Sequence, residues 1–259
     1  LQNIFGGAST GINITMAFLA AIATCGFIGF LSGVVTTAFK IPAFIVTLAV
    51  MLIARGWAQN LSNNNTIKVE LPDWLGQGMV SISLMIFLYI IAYIVMHKTV
   101  IGRQIYAIGG NQEAARLSGV PVNRVLIIVY TLTGILAGIS GIVMTAELES
   151  GSGNFGETWE LNVIAAVVVG GTSLMGGQGK VIGTLIGCAI IEVINNGMNL
   201  MGIGSNTQKI VLGIVILLAI IIDKFKKGEI NWFSNMKRKV KANEKGDINC
   251  LSESTVKAS

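Results

Sequence analysis

A single histidine, His97, three cysteines and only 12% charged residues leave this 259-residue chain with little of the chemistry that enzymes use. His97 closes an apolar run, and no cluster of His, Cys and carboxylates falls at metal-ligand spacing, so neither a zinc centre nor a hydrolytic triad can be assembled. Cys25 and Cys188 lie in two separate apolar spans and Cys250 in the tail, which offers neither a disulfide framework nor a redox pair. Basic charge is scarce too. Residues 1–222 hold nine Lys and Arg against eight Asp and Glu, whereas residues 223–259 hold nine against five, so the formal net charge of +5 is mostly a property of the tail. That distribution carries no nucleic-acid-binding footprint. The chain also opens at Leu1, without Met and without the charged n-region of a signal peptide, and we expect an N-terminally truncated sequence.

Apolar residues are abundant instead. They make up 53% of the chain, and the mean hydropathy of +0.72 lies well outside the range of soluble domains. Apolar runs occur at about 13–38, 42–59, 79–96, 125–145, 161–175, 181–200 and 207–222, several of them reaching the roughly 18 to 20 residues that a membrane-crossing helix requires. The expected fold is all-α, a polytopic membrane helix bundle of about seven segments. Two segments read as tilted or broken. The run at 42–59 begins with Pro42 and carries Arg55, and the run at 161–175 is short and leads into Gly170, Gly171, Gly176 and Gly177. Residues 1–225 are read as the transmembrane domain, with a cytoplasmic loop at 97–124, and residues 226–259 as a basic cytoplasmic tail, partly disordered.

Orientation follows from charge. Lys98, Arg103, Arg116 and Arg124 mark the 97–124 loop as cytoplasmic, together with the lysine-rich tail, whereas Glu147, Glu149, Glu157 and Glu160 mark the following loop as external. An odd number of crossings, three, must then connect that external loop to the tail. GxxxG spacing at Gly29 and Gly33, Gly134 and Gly138, and Gly183 and Gly187 fits close helix packing, with static packing favoured over gating.

The 97–124 loop contains a short helix of its own. Asn111 suits the N-cap, Gln112 to Ser118 supply about two turns, and Gly119 with Pro121 supplies the stop. Glu113 near its start and Arg116 near its end both complement the helix dipole and have i,i+3 spacing for a pair. A water-facing helix on a membrane protein is a candidate surface for receiving force from a soluble partner.

Two phosphate-loop look-alikes fail on context. Gly151, Gly153 and Gly156 spell GxGxxG but follow no βαβ strand, and Gly179–Lys180 has Leu174 and Val181 where the phosphate loop needs Gly and Ser or Thr. No ATP site is therefore expected on this chain. Intramembrane polar residues are more informative, because a charge at mid-membrane costs about 2.5 to 3.5 kcal/mol on insertion scales. Glu192 is followed by Asn195, Asn196 and Asn199 at i+3, i+4 and i+7, which places all four on one side of a helix. They form either the hydrophilic wall of a path for a polyol or sugar, or interhelical hydrogen bonds that hold the bundle. Phe44 and Thr47 are weaker path candidates, and Arg55, Trp57 and Gln59 read as interfacial anchors. In the tail, Trp232, Phe233, Met236 and Val240 recur at helical spacing among Lys237, Arg238, Lys239 and Lys241, as an interfacial helix on anionic membrane lipids would require, with disorder expected beyond about Ala242.

Four runs carry a family resemblance: KIPAFIVTLAVMLIARG at 40–56, GRQIYAIGGNQEAARLSGVPVNR at 102–124, ELNVIAAVVVGGTSLMGGQGKVIGTLIG at 160–187 and NNGMNLMGIG at 195–204. Over about residues 12–225 the chain resembles the permease subunits of bacterial ABC importers for monosaccharides of the ribose, xylose and galactose group. The resemblance implies a multi-pass protein of the bacterial inner membrane and a channel formed with a second permease copy as a homodimer. It also implies a periplasmic sugar-binding protein that delivers substrate, and a separate cytoplasmic ABC ATPase that carries ATP and magnesium. Coupling to that ATPase would fall on Glu113, Ala114, Ala115, Arg116 and Gly119. The family's first third, with a Gly-Ile-Asp-Leu-Ser type motif, is absent here, and Glu192 stands where an apolar or small residue is usual. Two alternatives stay open: a permease for another small solute such as a nucleoside, autoinducer or amino acid, and a proton-coupled secondary transporter using Glu192.

Overall fold

The computed structural model describes residues 10–69, 76, 78–174 and 176–226. In chain order the elements are α1 (Thr10–Phe39), α2 (Ala43–Leu61), β1 (Ile67–Lys68), α3 (Gly78–Lys98), α4 (Val100–Gly110), α5 (Gln112–Leu117), α6 (Val122–Leu148), β2 (Ser150–Gly151), α7 (Trp159–Val169), α8 (Val181–Leu200) and α9 (Ser205–Lys226). The residues expected to form the amphipathic tail helix, Trp232 to Lys241, lie outside the described residues, as does the rest of the tail domain beyond Lys226.

Among the described residues six helices are long and apolar enough to cross a membrane: α1, α2, α3, α6, α8 and α9. Helix is the form such runs must take, because lipid offers no partner to a backbone N–H or C=O. Hydroxyls inside the helices bond back to their own backbone for the same reason. Ser32 Oγ donates to the Ile28 carbonyl at 2.8 Å, Thr36 to Ser32 at 2.8 Å, and Thr131 to Ile127 at 2.8 Å. Helix α2 is uninterrupted despite Pro42. The proline occupies the N-cap, where its missing N–H costs nothing, and its carbonyl accepts from Ile45 N at 3.0 Å.

The seventh apolar segment is a short one. Helix α7 has 11 residues and stops at Val169 in a Schellman turn: Gly171 takes φ +85°, its N–H donates to Val168, and Thr172 N–H donates to Val167. The glycines that made this segment suspect in the sequence therefore end its helix.

The described residues divide into two compact units, those up to 160 together with 176–183, and 161–174 together with 184–226. In the first unit α1 and α6 run antiparallel, held by their glycines. Gly29 lies against the Tyr130 carbonyl and Gly134, Gly33 against Ile127, and Gly138 against Ile22 and Cys25. Both GxxxG pairs on these helices thus serve close backbone packing. At the Leu148 end of α6, β1 pairs antiparallel with β2, Ile67 opposite Gly151 and Lys68 opposite Ser150. Gln59 Nε2 donates to Asn154 Oδ1 at 2.8 Å across the same end, and Gly153 packs on Gln59. The glutamates 147, 149 and 157 gather at this end, while Lys40, Lys98, Arg103, Arg116 and Arg124 lie at the other.

The second unit has a small core of Ala165, Ala166, Ile191 and Leu212, with Val169, Cys188, Val215 and Ile216 packed around it. Gly187 of α8 touches the Ala166 carbonyl, and its Cβ position lies 2.8 Å from Gly170 N, so only a glycine allows α7 and α8 this approach. Elsewhere large apolar side chains face outward. Helix α3 buries none of its residues, so its apolar surface faces outward all round.

Candidate functional site

The basic end of the first unit is built from two helices. The sequence reading expected a single helix in the 97–124 loop; α4 precedes it. Thr99 caps α4, its Oγ1 accepting from Gly102 N at 3.3 Å while donating to the Val95 carbonyl at 2.6 Å. Helix α4 then runs to Gly110, and one residue later α5 begins.

Helix α5 has the limits its residues prescribe. Asn111 Oδ1 accepts from Ala114 N at 3.0 Å, which is the N-cap bond. At the other end Gly119, at φ +82°, donates to Arg116 O, and Val120 N–H donates to Ala115 O at 3.1 Å, the paired bonds of a Schellman motif. Six residues would not hold a helix in isolation. These caps, and contacts with α4 and α6, hold it here.

One face of α5 is inward and the rest is open. Ala115 is buried, whereas Glu113, Ala114, Arg116 and Gly119 are exposed. Leu117 is 88% exposed, a large apolar side chain standing at the tip of a charged loop. Glu113 and Arg116 form no ion pair with each other, although their spacing permits one. A solvated pair of this kind is worth only about 0.2–1 kcal/mol, too little to order both long side chains. Both remain available to a partner.

The polar strip of α8 stands in the second unit. Glu192, Asn196 and Asn199 are exposed and Asn195 is partly covered, on the flank of the face that buries Gly187, Ile191 and Met198. Asn199 Oδ1 accepts from Gln208 Nε2 at 2.7 Å, and the same Gln208 nitrogen donates to the Ile203 carbonyl at 2.9 Å. Asn199 thereby ties the 201–204 turn to α9, which favours a structural role for that residue. Phe44 and Thr47 lie on α2 in the first unit. Both are exposed, and Thr47 Oγ1 returns its proton to Ala43 O at 3.0 Å. His97 stacks on Tyr93 at the end of α3, ring centroids 4.4 Å apart, as an interfacial pair.

A further feature was not read from the sequence. The last turn of α4 is covered by the glycine-rich 176–179 segment. Gly109 meets Gly177 backbone to backbone, and Tyr106 Oη donates to the Gly179 carbonyl at 2.9 Å. The density of glycines in both stretches was the available signal. Nothing in their spacing says that the two stretches meet.

Residues 5–220 match the family model described as branched-chain amino acid transport system / permease component. The chain is 41% identical to the ribose import permease protein RbsC of Escherichia coli over 227 residues, 83% of this chain and 71% of that protein. It is 38% identical to the ribose import permease protein RbsC of Bacillus subtilis over 232 residues, 86% of this chain and 72% of that protein. It is also 38% identical to the L-arabinose transport system permease protein AraH of Escherichia coli over 203 residues, 76% of this chain and 62% of that protein. No solved structure matches. An all-α bundle of membrane-length helices, a capped helix displayed at its basic end and these similarities agree: the chain belongs to the permease components of bacterial ATP-driven importers, multi-pass inner-membrane subunits that work with an ATPase and a binding protein on separate chains.

Proposed function

We propose that this permease conducts a monosaccharide of the ribose or arabinose type, delivered by a periplasmic binding protein, and that α5 is where the cytoplasmic ATPase engages it. The family model carries a branched-chain amino acid name, whereas the ribose and arabinose permeases are 38% to 41% identical over most of this chain. Sugar is therefore the better-supported substrate class. Amide side chains at Asn195 and Asn196 suit hydroxyl partners, each offering donors and an acceptor.

The observation that carries the coupling assignment is the geometry of α5. A six-residue helix closed by both an Asx cap and a Schellman turn presents Glu113, Arg116 and Leu117 outward at the basic end. Such a rigid, exposed knob suits a groove on a soluble subunit. ATP and magnesium belong to that subunit, and their hydrolysis supplies the work. What this chain contributes is a surface that converts movement of the ATPase into movement of its helices. A second copy of the permease completes the pathway, and lipid covers the outward apolar faces such as that of α3.

The test is co-purification from membranes followed by uptake. Wild type brings down an ABC ATPase and, reconstituted with it and the binding protein, accumulates labelled ribose or arabinose only with ATP. Glu113→Lys inserts normally but loses both the ATPase and uptake. Retention of both by the variant would refute the assignment of α5, while uptake driven by a proton gradient and abolished by Glu192→Gln would make the protein a self-powered carrier.

A further inference from the structure

Two glycine-rich stretches far apart in sequence form one joint beside α5. The last turn of α4 carries Gly109 and Gly110, and the next residue, Asn111, is the N-cap of α5. Across from it run Gly176 and Gly177, both in the left-handed region at φ +88° and +75°. The contact is between backbones. A Cβ on Gly109 would stand 2.6 Å from Gly177 N and 3.3 Å from Gly177 Cα, and one on Gly177 would stand 2.7 Å from Gly110 Cα. No side chain separates the two segments, so neither can shift by much without carrying the other. Tyr106, one turn back on α4, adds a hydrogen bond to the Gly179 carbonyl at 2.9 Å. Two residues further on, Val181 opens α8, the helix that carries Glu192, Asn195 and Asn196.

We propose that Tyr106, Gly109, Gly176 and Gly177 form a clasp that passes displacement of α5 directly to the start of α8, making Tyr106 a positioning residue for transport. This rests on the reading of α5 as the ATPase-facing helix. The covalent route from α5 to α8 runs through the whole of α6 and α7, more than 60 residues of chain. The clasp shortens that route to one backbone contact and one hydrogen bond. Close-packed backbone transmits strain because it has no rotamers with which to absorb it. A glycine pair at φ near +80° also leaves the 176–179 segment no ordinary L-residue substitute.

The geometry makes neighbouring glycines unequal, which gives the test its control. A Cβ on Gly110 would lie 4.0 Å from Gly177 Cα, an ordinary contact, whereas the one on Gly109 would force the segments apart. The measurement is sugar transported per ATP hydrolysed, in proteoliposomes containing the permease, its ATPase and its binding protein. Gly109→Ala should still bind and stimulate the ATPase but lower that ratio about tenfold, and Tyr106→Phe about threefold, within the range that residues on coupling routes command. Gly110→Ala should match wild type. Tyr106→Phe removes one oxygen and keeps the fold, so a folding defect in Gly109→Ala does not decide the outcome. Equal, wild-type ratios in Tyr106→Phe and Gly109→Ala overturn the clasp, as does equal damage in Gly109→Ala and Gly110→Ala. Leu117→Asp separates the two readings. If it keeps ATPase association, the α5 assignment fails; if it loses association while both clasp variants couple normally, only the clasp fails.

Discussion

Substituting Gly134 by Ala separates the α1 and α6 backbones, and the size of the loss can be worked from the contact. The added methyl would lie against the Cys25 carbonyl, 3.1 Å from its carbon and 3.2 Å from Gly29 Cα. Every one of these atoms is backbone, so no rotamer change relieves the overlap. Inserting a methyl into such packing costs about 1–3 kcal/mol. In water alanine would recover up to ~1 kcal/mol of helix propensity. In lipid the separated helices stay helical, because their backbone has no other partner, so that compensation is small. The net loss is about 2 kcal/mol, which for a chain of this size lowers the melting temperature by about 4–8 °C. Gly141, two turns along the same helix, has no neighbour within 4 Å of its Cβ position. Its alanine variant should stay within about 0.5 kcal/mol of wild type. Both variants are compared with wild type by thermal unfolding in detergent, monitored by the soluble monodisperse fraction. Equal destabilisation by the two substitutions would refute the glycine-specific packing of α1 on α6.

Two further outcomes are expected. Asn111→Ala deletes the cap bond to Ala114 N, worth about 1 kcal/mol, and should raise hydrogen exchange at Ala114 and Ala115 while weakening ATPase association about fivefold; unchanged exchange there would mean that the cap does not hold α5. In a background with Cys25, Cys188 and Cys250 replaced by Ser, a membrane-impermeant maleimide should label Ser152→Cys in intact spheroplasts and Ser118→Cys only after permeabilisation; labelling of both from one side would overturn the orientation.

The sequence made the long helices legible because lipid leaves an apolar run little choice but helix. It also made α5 legible to its caps, since Asn111, Gly119 and Pro121 each have a local backbone reason to stand where they do. Helix α4 was missed because Arg103, Gln104 and the glycines made 100–110 read as loop. Its signal was Thr99, three residues ahead of the N–H it caps. Pro42 and Arg55 suggested a tilted or broken α2; the helix is unbroken, since an N-cap proline looks like a helix breaker until the helix start is known. The strip from Glu192 to Asn199 was placed on one side of a helix correctly, but the bond from Gln208 to Asn199 is a tertiary fact that no periodicity announces.

The seventh apolar segment is ended by its own glycines. Glu160 follows the loop at the end of the first unit where β1 pairs with β2, while Gly177 lies against Gly109 at the opposite end of that unit. Helix α7 with its 11 residues rises about 16 Å, roughly half of a 30 Å hydrocarbon core. Non-helical backbone at membrane depth is tolerated only where protein or a water-filled cavity surrounds it. Ser173, just after the turn that ends α7, is buried, in keeping with the requirement. Gly171 is thus not a defect in a transmembrane helix. By ending α7 at Val169, its left-handed turn releases Thr172 and Ser173 from the helix, where the burial of Ser173 shows that protein surrounds the freed backbone.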